Sequence, residues 1–587
     1  MRGLWRLLPW TRPYRWRFTV GLACVIISTA LYSLIPSLLR RALDHLGAPD
    51  PWQPVLRIAG LMLLVTSVMA VFRFTMREIL NGVSRVIEND LRDALFAKLT
   101  ALDGAYFGRT RTGEIMARLT NDLTAVRMAV GPAVMYLTNT IFGGLFALGF
   151  MVTISPRLTG LALIPMLLLP IVMFRLGKVT HDRFERVQAT FGELTTLVHE
   201  HLAGIRIVRA YAQEQTEHAR FAALSAEYQD RNRALVRLNG LMNPTFTLLA
   251  GLGAAIVLGV GGTMVLDGTL TVGTFVAFGL YLSNLTWPLI ALGWVTNLFQ
   301  RGAASWGRIL EILDAQPRIT DPALSSGIVA LPPASTGRTI TFDGVSFAYP
   351  DASGPTGRTV LQDISLTIPA GTTLGVVGAT GSGKSTLLEL LPRLADPTQG
   401  VIRLDGIDLR DLPLATLRAE IGFVPQESLL FSETIRDNLH YGTDDDDAVR
   451  EATRVAQLAE TIAAFPQGAQ TMLGERGVNL SGGQRQRAAL ARALARRPHV
   501  VILDDALAAV DTQTEAAILR ELRTALAGRT AIIASHRITA VRDAQWIVVL
   551  DDGRIVEQGR HETLVAAGGR YAALLERQRL EESLETA

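Results

Sequence analysis

Long apolar runs separated by charged stretches fill the first half of the chain, and shorter apolar runs alternating with amphipathic ones fill the second. Six runs, near residues 18 to 39, 55 to 74, 131 to 154, 157 to 177, 244 to 266 and 270 to 294, are each long enough to cross roughly 30 Å of hydrocarbon as a helix. Short polar turns (Asp44 to Gln53, Ser155-Pro156, Asp267-Gly268-Thr269) join them in pairs. Between the pairs lie two long charged stretches of helix-forming composition, 75 to 130 and 178 to 243. The pattern predicts three membrane hairpins whose helices extend far beyond the bilayer on one side. Ahead of the first run, residues 2 to 17 carry Arg2, Arg6, Arg12, Arg15 and Arg17 without an acid, interleaved with Leu4, Trp5, Leu7, Leu8, Trp10 and Trp16. That composition predicts an amphipathic interfacial segment, and the positive-inside bias puts it, the N-terminus and the helical extensions in the cytoplasm. Arg40 and Arg41, at the outer end of the first run, oppose the bias and leave that boundary open.

Composition agrees with a membrane half: 49% of residues are hydrophobic, 19% are charged, and the mean hydropathy is +0.27. A chain of 587 residues is too long for one ordinary core, so at least two domains are expected. The net charge of +3 is small for this length and gives no reason to expect nucleic acid. Cys24 is the only cysteine, which excludes an intramolecular disulfide, and its apolar setting reads as packing. The first apolar run is too long for a cleaved leader and lacks a cleavage site, so none is expected.

Polar residues in this half are few. Arg73, Arg77, Asn81 and Arg85 recur every four residues, with Glu78 beside them, and so share one helix face. They read either as a cavity surface for anionic groups such as lipid headgroups, or as the point where the helix leaves the bilayer. Asn243, Asn284, Trp287, Trp294 and Asn297 read either as a translocation path or as packing, and Pro288 as a bend in the last membrane helix. Within the two cytoplasmic stretches, short crosswise pieces are expected near 110 to 117, and at Ile205 to Ala212 with the charged run Gln213 to Arg220.

From Ala315 to Arg338 the sequence is rich in Pro, Ser and Gly, which predicts a linker and a domain boundary. Strand-like runs at 339 to 349 and 359 to 368 follow, and then the alternation of strands and helices that an α/β domain requires. After the apolar run Leu374 to Val377 stands Gly378-Ala379-Thr380-Gly381-Ser382-Gly383-Lys384-Ser385-Thr386, the spacing of a phosphate-binding loop. Its glycines let backbone amides point at the phosphates of a nucleoside triphosphate, Lys384 reaches the β- and γ-phosphates, and Ser385 serves a magnesium ion. Val500 to Leu503 is an apolar strand ending in Asp504 and Asp505, as needed where a carboxylate must reach a metal beside such a loop. Leu480-Ser481-Gly482-Gly483-Gln484 precedes a helix expected over Arg485 to Arg496, so its amides and the helix dipole can hold a second phosphate. Two phosphate-binding surfaces on one domain imply pairing with another such domain, with ATP between them.

These motifs together resemble the ATP-binding cassette transporters, over almost the entire chain. The resemblance implies an α-helical transmembrane domain of exporter type, six membrane helices with long cytoplasmic extensions, followed by an α/β P-loop nucleotide-binding domain with an α-helical subdomain. The corresponding divisions are an interfacial segment at 1 to 17, the membrane domain at 18 to 314, a linker at 315 to 338, the cassette at 339 to 577 and a tail at 578 to 587. It further implies that Tyr349 stacks on adenine, that the loop Gly378 to Thr386 binds the phosphates, and that Ser385, Gln426 and Asp504 serve Mg²⁺. Leu480, Ser481, Gly482, Gly483 and Gln484 would bind the ATP seated on the partner chain, Asp511 fits the interface loop although Ala508 stands where serine is common, and His536 matches the switch histidine. Gly474-Glu475-Arg476-Gly477 resembles the loop that meets the crosswise pieces, which makes those pieces coupling helices.

One residue departs from the family. Asp505 stands where a glutamate usually polarises the attacking water, and a group displaced by roughly 1 Å can cost about a hundredfold in rate. This chain's own loop should then hold ATP and hydrolyse it slowly, while its intact Leu480 to Gln484 can complete an active site on a partner that supplies glutamate. The expectation is one half of a heterodimeric exporter in the bacterial inner or plasma membrane, moving an amphipathic drug, lipid or peptide through the bilayer with ATP. A homodimer with two slow sites and a membrane regulator or channel that senses ATP stay open; a soluble ATPase acting on nucleic acid is excluded by the six apolar runs.

Overall fold

The computed structural model describes residues 2–47, 50–322, 330–334, 337–349, 357–474, 477 and 479–585. The chain divides into two compact units, Met1–Thr100 with Gly113–Asp314, and Ala101–Thr112 with Ala315–Ala587.

The first unit is helical. Among the described residues, five helices are long and apolar enough to cross a membrane: Trp5–His45, Trp52–Ala101, Thr112–Ile154, Glu214–Leu266 and Val272–Asp314. The fourth apolar run falls in the helix Pro156–Ala203, whose apolar start is Pro156–Leu168. The helix Val272–Asp314 continues through Pro288. Between Arg2 and Tyr14 the basic segment forms short helical turns, with Trp5 and Trp16 largely exposed and Arg6 paired with Asp314 at 2.6 Å.

The first two membrane helices lie antiparallel in a register set by three contacts. The Tyr14 hydroxyl donates to Asp90 at 2.7 Å, a Cβ on Gly21 would sit 2.7 Å from Leu80, and the Ser28 hydroxyl lies 3.7 Å from the Met76 sulfur. Cys24 is buried in this seam with Val25, Met76, Leu80 and Met135, a packing residue as expected.

Of the two short pieces, the first lies ahead of the expected 110 to 117, and the second is shorter than expected. The first is the helix Gly104–Arg109, started by Asp103, whose carboxylate accepts from the Tyr106 amide, and ended by extended Thr110; Thr112 already begins the next long helix. The second is Ile205–Ala210, closed by Ala212 in the left-handed conformation (φ 51°). The charged run beyond it begins the following long helix, where Glu214 and Glu217 complement the dipole of the first turn.

Among the described residues of the second unit, ten strands form two sheets: β1 (Ile340–Ala348), β2 (Thr359–Ile368), β3 (Thr373–Val377), β4 (Gln399–Leu404), β5 (Ile407–Asp408), β6 (Ile421–Val424), β7 (Val500–Asp504), β8 (Thr530–Ala534), β9 (Trp546–Asp551) and β10 (Arg554–Gly559). An antiparallel sheet runs β2-β1-β4-β5, and a six-stranded sheet runs β10-β9-β3-β8-β7-β6. In the latter, β9, β3, β8, β7 and β6 are mutually parallel. β7 is buried along its whole length, which is why it reads as an unbroken apolar run. The two sheets share one core that includes Phe342, Leu361, Leu388 and Val548. A second core packs the helices Asp446–Val455 and Gly482–Ala495 against β7. The tail expected from 578 is instead the end of a helix, Arg570–Glu585.

Candidate nucleotide site

Parallel strands deliver their C-terminal ends to one edge, and in an open α/β sheet that edge is where ligands bind. Here the ends of three neighbours, β3, β8 and β7, carry Gly378, Ser535-His536 and Asp504-Asp505 respectively. The Ser535 amide donates to Val376 O at 3.1 Å and the Asp505 amide to Ala534 O at 2.8 Å, so the three strand ends are stitched together.

The loop after β3 is built for an anion. Gly383 has φ +101°, a conformation closed to most side chains, and a Cβ on Gly378 would sit 2.2 Å from the Leu550 carbonyl. Lys384 opens the following helix and donates to the carbonyls of Gly378 and Ala379 at 2.8 and 2.9 Å, curling the loop around its own ammonium. Burial pushes the Lys384 amine below the ordinary lysine range, an effect opposed by Asp505 and Asp504. Among the described residues the buried Ser382 hydroxyl has no hydrogen-bond partner, and a phosphate oxygen would satisfy it.

Ser385 donates to the Asp504 carboxylate, which burial pushes up from the usual aspartate range while that bond opposes the shift. Two hard oxygen donors therefore face each other beside the loop, the donor chemistry that magnesium takes. Gln426 stands exposed in the turn beyond β6, without a hydrogen bond to either. Tyr349, half exposed just past β1, rests edge-on against Phe347 at 4.9 Å, with its hydroxyl 3.1 Å from that of Thr386.

Asp505 has positive φ (48°), and both its carboxylate oxygens are engaged. Ser535 donates to one at 3.1 Å, and His536 Nδ1 lies 2.6 Å from the other. The Gln486 side chain connects this turn to the next, reaching Asp505 O at 3.4 Å and accepting from the Ala509 amide at 2.8 Å. Nothing in the sequence singles out Ser535 or Gln486, since their partners lie far away along the chain.

The second phosphate surface differs from expectation in one respect. The helix begins at Gly482, three residues earlier than Arg485, because Ser481 is its N-cap: Ser481 Oγ accepts from the Gln484 amide at 3.2 Å, and Gln484 Oε1 accepts from the Ser481 amide at 2.9 Å. The spacing Ser-x-x-Gln is a capping box, a signal already present in the sequence. Gly482 and Gly483 are thus helical, and a Cβ on Gly483 would sit 2.7 Å from Ala509 O. Asp511 caps the helix Thr512–Ala525, accepting from the Thr514 amide at 2.9 Å. Of Gly474 to Gly477, Glu475 and Arg476 lie outside the described residues.

A phosphate loop, an acidic strand end and a capped glycine pair on an α/β unit, in a chain that also carries a helical membrane unit, define an ATP-driven membrane transporter. Residues 18–289 match the family model described as the ABC transporter transmembrane region, and residues 361–508 match that described as ABC transporter. The chain belongs to the ATP-binding cassette transporters. It is 36% identical to the probable multidrug resistance ABC transporter ATP-binding/permease protein YheI of Bacillus subtilis, over 97% of this chain and 96% of that protein. It is also 36% identical to the ATP-dependent lipid A-core flippase of Syntrophus aciditrophicus, over 97% and 93%. Among solved structures, a bacterial Atm1-family ABC exporter with ATP bound superposes with a TM-score of 0.75 at 29% identity, covering 96% of this chain and 98% of that one. The chain is accordingly an ATPase coupled to export, an inner-membrane protein with a cytoplasmic ATP-binding unit.

Proposed function

We propose that this chain is one half of a heterodimeric exporter of amphipathic compounds, and that the site on its own phosphate loop turns over slowly. Multidrug and lipid A-core exporters among its relatives support the amphipathic cargo. The observation that carries the asymmetry is Asp505. It is one methylene shorter than glutamate, and Ser535 and His536 occupy its two oxygens. Both bonds tie its carboxylate to the end of the neighbouring strand.

In this reading Tyr349 stacks on adenine, the amides and Lys384 of the loop hold the β- and γ-phosphates, and His536 contacts the γ-phosphate. Ser385 and Asp504, with Gln426, would hold a magnesium ion, which when bound neutralises charge on the phosphates. Ser481 to Gln484 present the capped helix N-terminus to the nucleotide on the partner half, and Asp511 orders the adjoining interface turn. Closure of the paired ATP-binding units on two nucleotides is passed through Gly104–Arg109 and Ile205–Ala210 to turn the membrane cavity outward; hydrolysis at the partner's site resets it.

Two measurements test this. Chains co-purifying from the native membrane should include a second, different half-transporter, whereas self-association alone would indicate a homodimer. With the purified pair in vesicles, Asp505→Glu should raise phosphate release by about tenfold at this chain's site, less than the roughly 10²–10⁴-fold that a well-placed general base contributes in full, because aspartate already keeps the charge; an unchanged rate would sink the slow-site assignment.

A further inference from the structure

We infer that the inner half of the second membrane helix carries a cationic stair that receives the anionic headgroup of a membrane amphiphile, ending at Arg73 under Tyr32 and Asn284. This rests on the reading of the cargo as amphipathic and narrows it to an anionic class.

The register of the first two helices places the stair. With Tyr14 beside Asp90, Gly21 beside Leu80 and Ser28 beside Met76, Arg85, Arg77 and Arg73 stand at successively deeper levels of the apolar run that starts at residue 18. Each four-residue step rises about 6 Å, so Arg73 lies level with the middle of that run rather than at its inner end. The alternative that this face merely marks the helix leaving the bilayer does not account for an arginine at that level.

Three helices meet at its upper end. The Arg73 guanidinium lies 5.0 Å from the centre of the Tyr32 ring, and the Tyr32 hydroxyl donates to Asn284 at 3.1 Å. Thr29, one turn away on the same helix as Tyr32, donates to Asn139 at 2.9 Å, extending the polar layer to a fourth helix. The ring orients the guanidinium without neutralising it.

Nothing on this unit supplies the missing negative charge. Among the described residues no carboxylate forms an ion pair with Arg73, Arg77 or Arg85, and all three are exposed on the unit. Glu88, one turn further in, is already held by Arg92 and Arg127, each at 3.2 Å. Glu78 is the one acid between residues 55 and 87; it is exposed and pairs with none of them. Uncompensated charge at hydrocarbon depth is costly and faces a cavity or a partner group. A phosphate or carboxylate on an acyl chain fits: its tail stays in apolar surroundings while its headgroup passes from one arginine to the next.

The test needs no ATP turnover, so it is independent of the slow-site assignment. The purified pair in neutral detergent is titrated with a fluorescent phosphatidylglycerol and with the phosphatidylcholine of the same chains. The wild type should prefer phosphatidylglycerol by about tenfold, and Arg73→Gln or Arg77→Gln should each remove most of that preference. Arg73→Lys should keep it to within about threefold, since the charge remains. Among the described residues Arg77 makes no hydrogen bond or ion pair, and it is exposed, so its replacement reports on binding even if Arg73→Gln disturbs folding. Equal affinity for both lipids in the wild type, or an undiminished preference in both Gln variants, overturns the proposal. Loss of the preference in excess inorganic phosphate would assign the arginines to a soluble anion and overturn it as well. A wild type that binds phosphatidylglycerol yet moves no labelled amphiphile with ATP would instead count against the cargo reading alone.

Discussion

The two surfaces proposed to meet nucleotide on the ATP-binding unit are built in opposite ways. The capped helix at Ser481 is local: its cap, its glycines and its reciprocal bonds lie within four residues. The phosphate-loop side is assembled from three strand ends whose residues are far apart in the chain, and its bonds run from Asp505 to Ser535 and His536. A local device stands or falls as one motif. An assembled one can change at a single residue, here Asp505, while the bonds of Lys384 to the loop carbonyls keep their geometry. Asp505 and the capping box thus belong to two differently built parts of the unit.

The largest consequence concerns Gly483. A side chain there meets the Ala509 carbonyl at 2.7 Å and Val510 at 3.4 Å, both backbone groups that cannot swing aside, so Gly483→Val must displace the first helical turn. In the purified pair, phosphate release should fall more than about a hundredfold, the scale of a group misplaced by 1 Å. Lys384→Ala, which removes the ammonium from this chain's own loop, should cost no more than about tenfold if this site contributes little turnover. Equal losses from the two variants would mean that the two surfaces serve equally active sites. Next in size is the gain of about tenfold expected for Asp505→Glu. Smaller again is Ser481→Ala, which deletes one half of the reciprocal cap; about 1 kcal/mol of local helix stability should be lost, read as faster hydrogen exchange over the first turn from Gly482.

Legibility in the sequence follows the same division. The phosphate loop, the strand ending at Asp504 and the linker before β1 are carried by contiguous residues, and apolar period and glycine spacing suffice to find them. The helix start at Gly482 was also within reach, since Ser481 and Gln484 have capping-box spacing; weighing the glycines only as a loop hides it. Gln486 and Ser535 could not be found, because what makes them matter is a bond to a turn that the sheet brings near. In the membrane unit, the apolar runs give the helices, but their relative heights do not follow from composition. Read alone, the second run ends near Phe74 and leaves Arg77 and Arg85 outside; only the contacts of Gly21 and Ser28 with Leu80 and Met76 lower them into register with the first helix. The bounds of the two short helices are hidden for a related reason. Asp103 and Ala212 decide where they begin and end, and a left-handed alanine leaves no mark in the sequence.

The smallest effect separates two neighbouring helix caps by pH. Ser481 and Asp511 are both N-caps, but only one can titrate. Bonds from the Thr514 backbone and side chain hold the Asp511 carboxyl below the ordinary aspartate range. A carboxyl depressed in the folded state contributes stability that is complete above its unfolded value, near 4, and is lost as pH falls through the lower folded value. Asp511 is exposed, so the loss is local and screened by solvent and salt rather than a threat to the unit as a whole. Hydrogen-exchange protection of the Thr514 amide, corrected for intrinsic rate, should therefore fall as the pH drops below about 4, while that of the Gln484 amide, capped by a hydroxyl, should not follow it. Asp511→Asn retains a good cap without a titrating group, and should flatten the Thr514 profile. A profile that falls equally in the variant would trace the acid sensitivity to another carboxylate and remove Asp511 as its source.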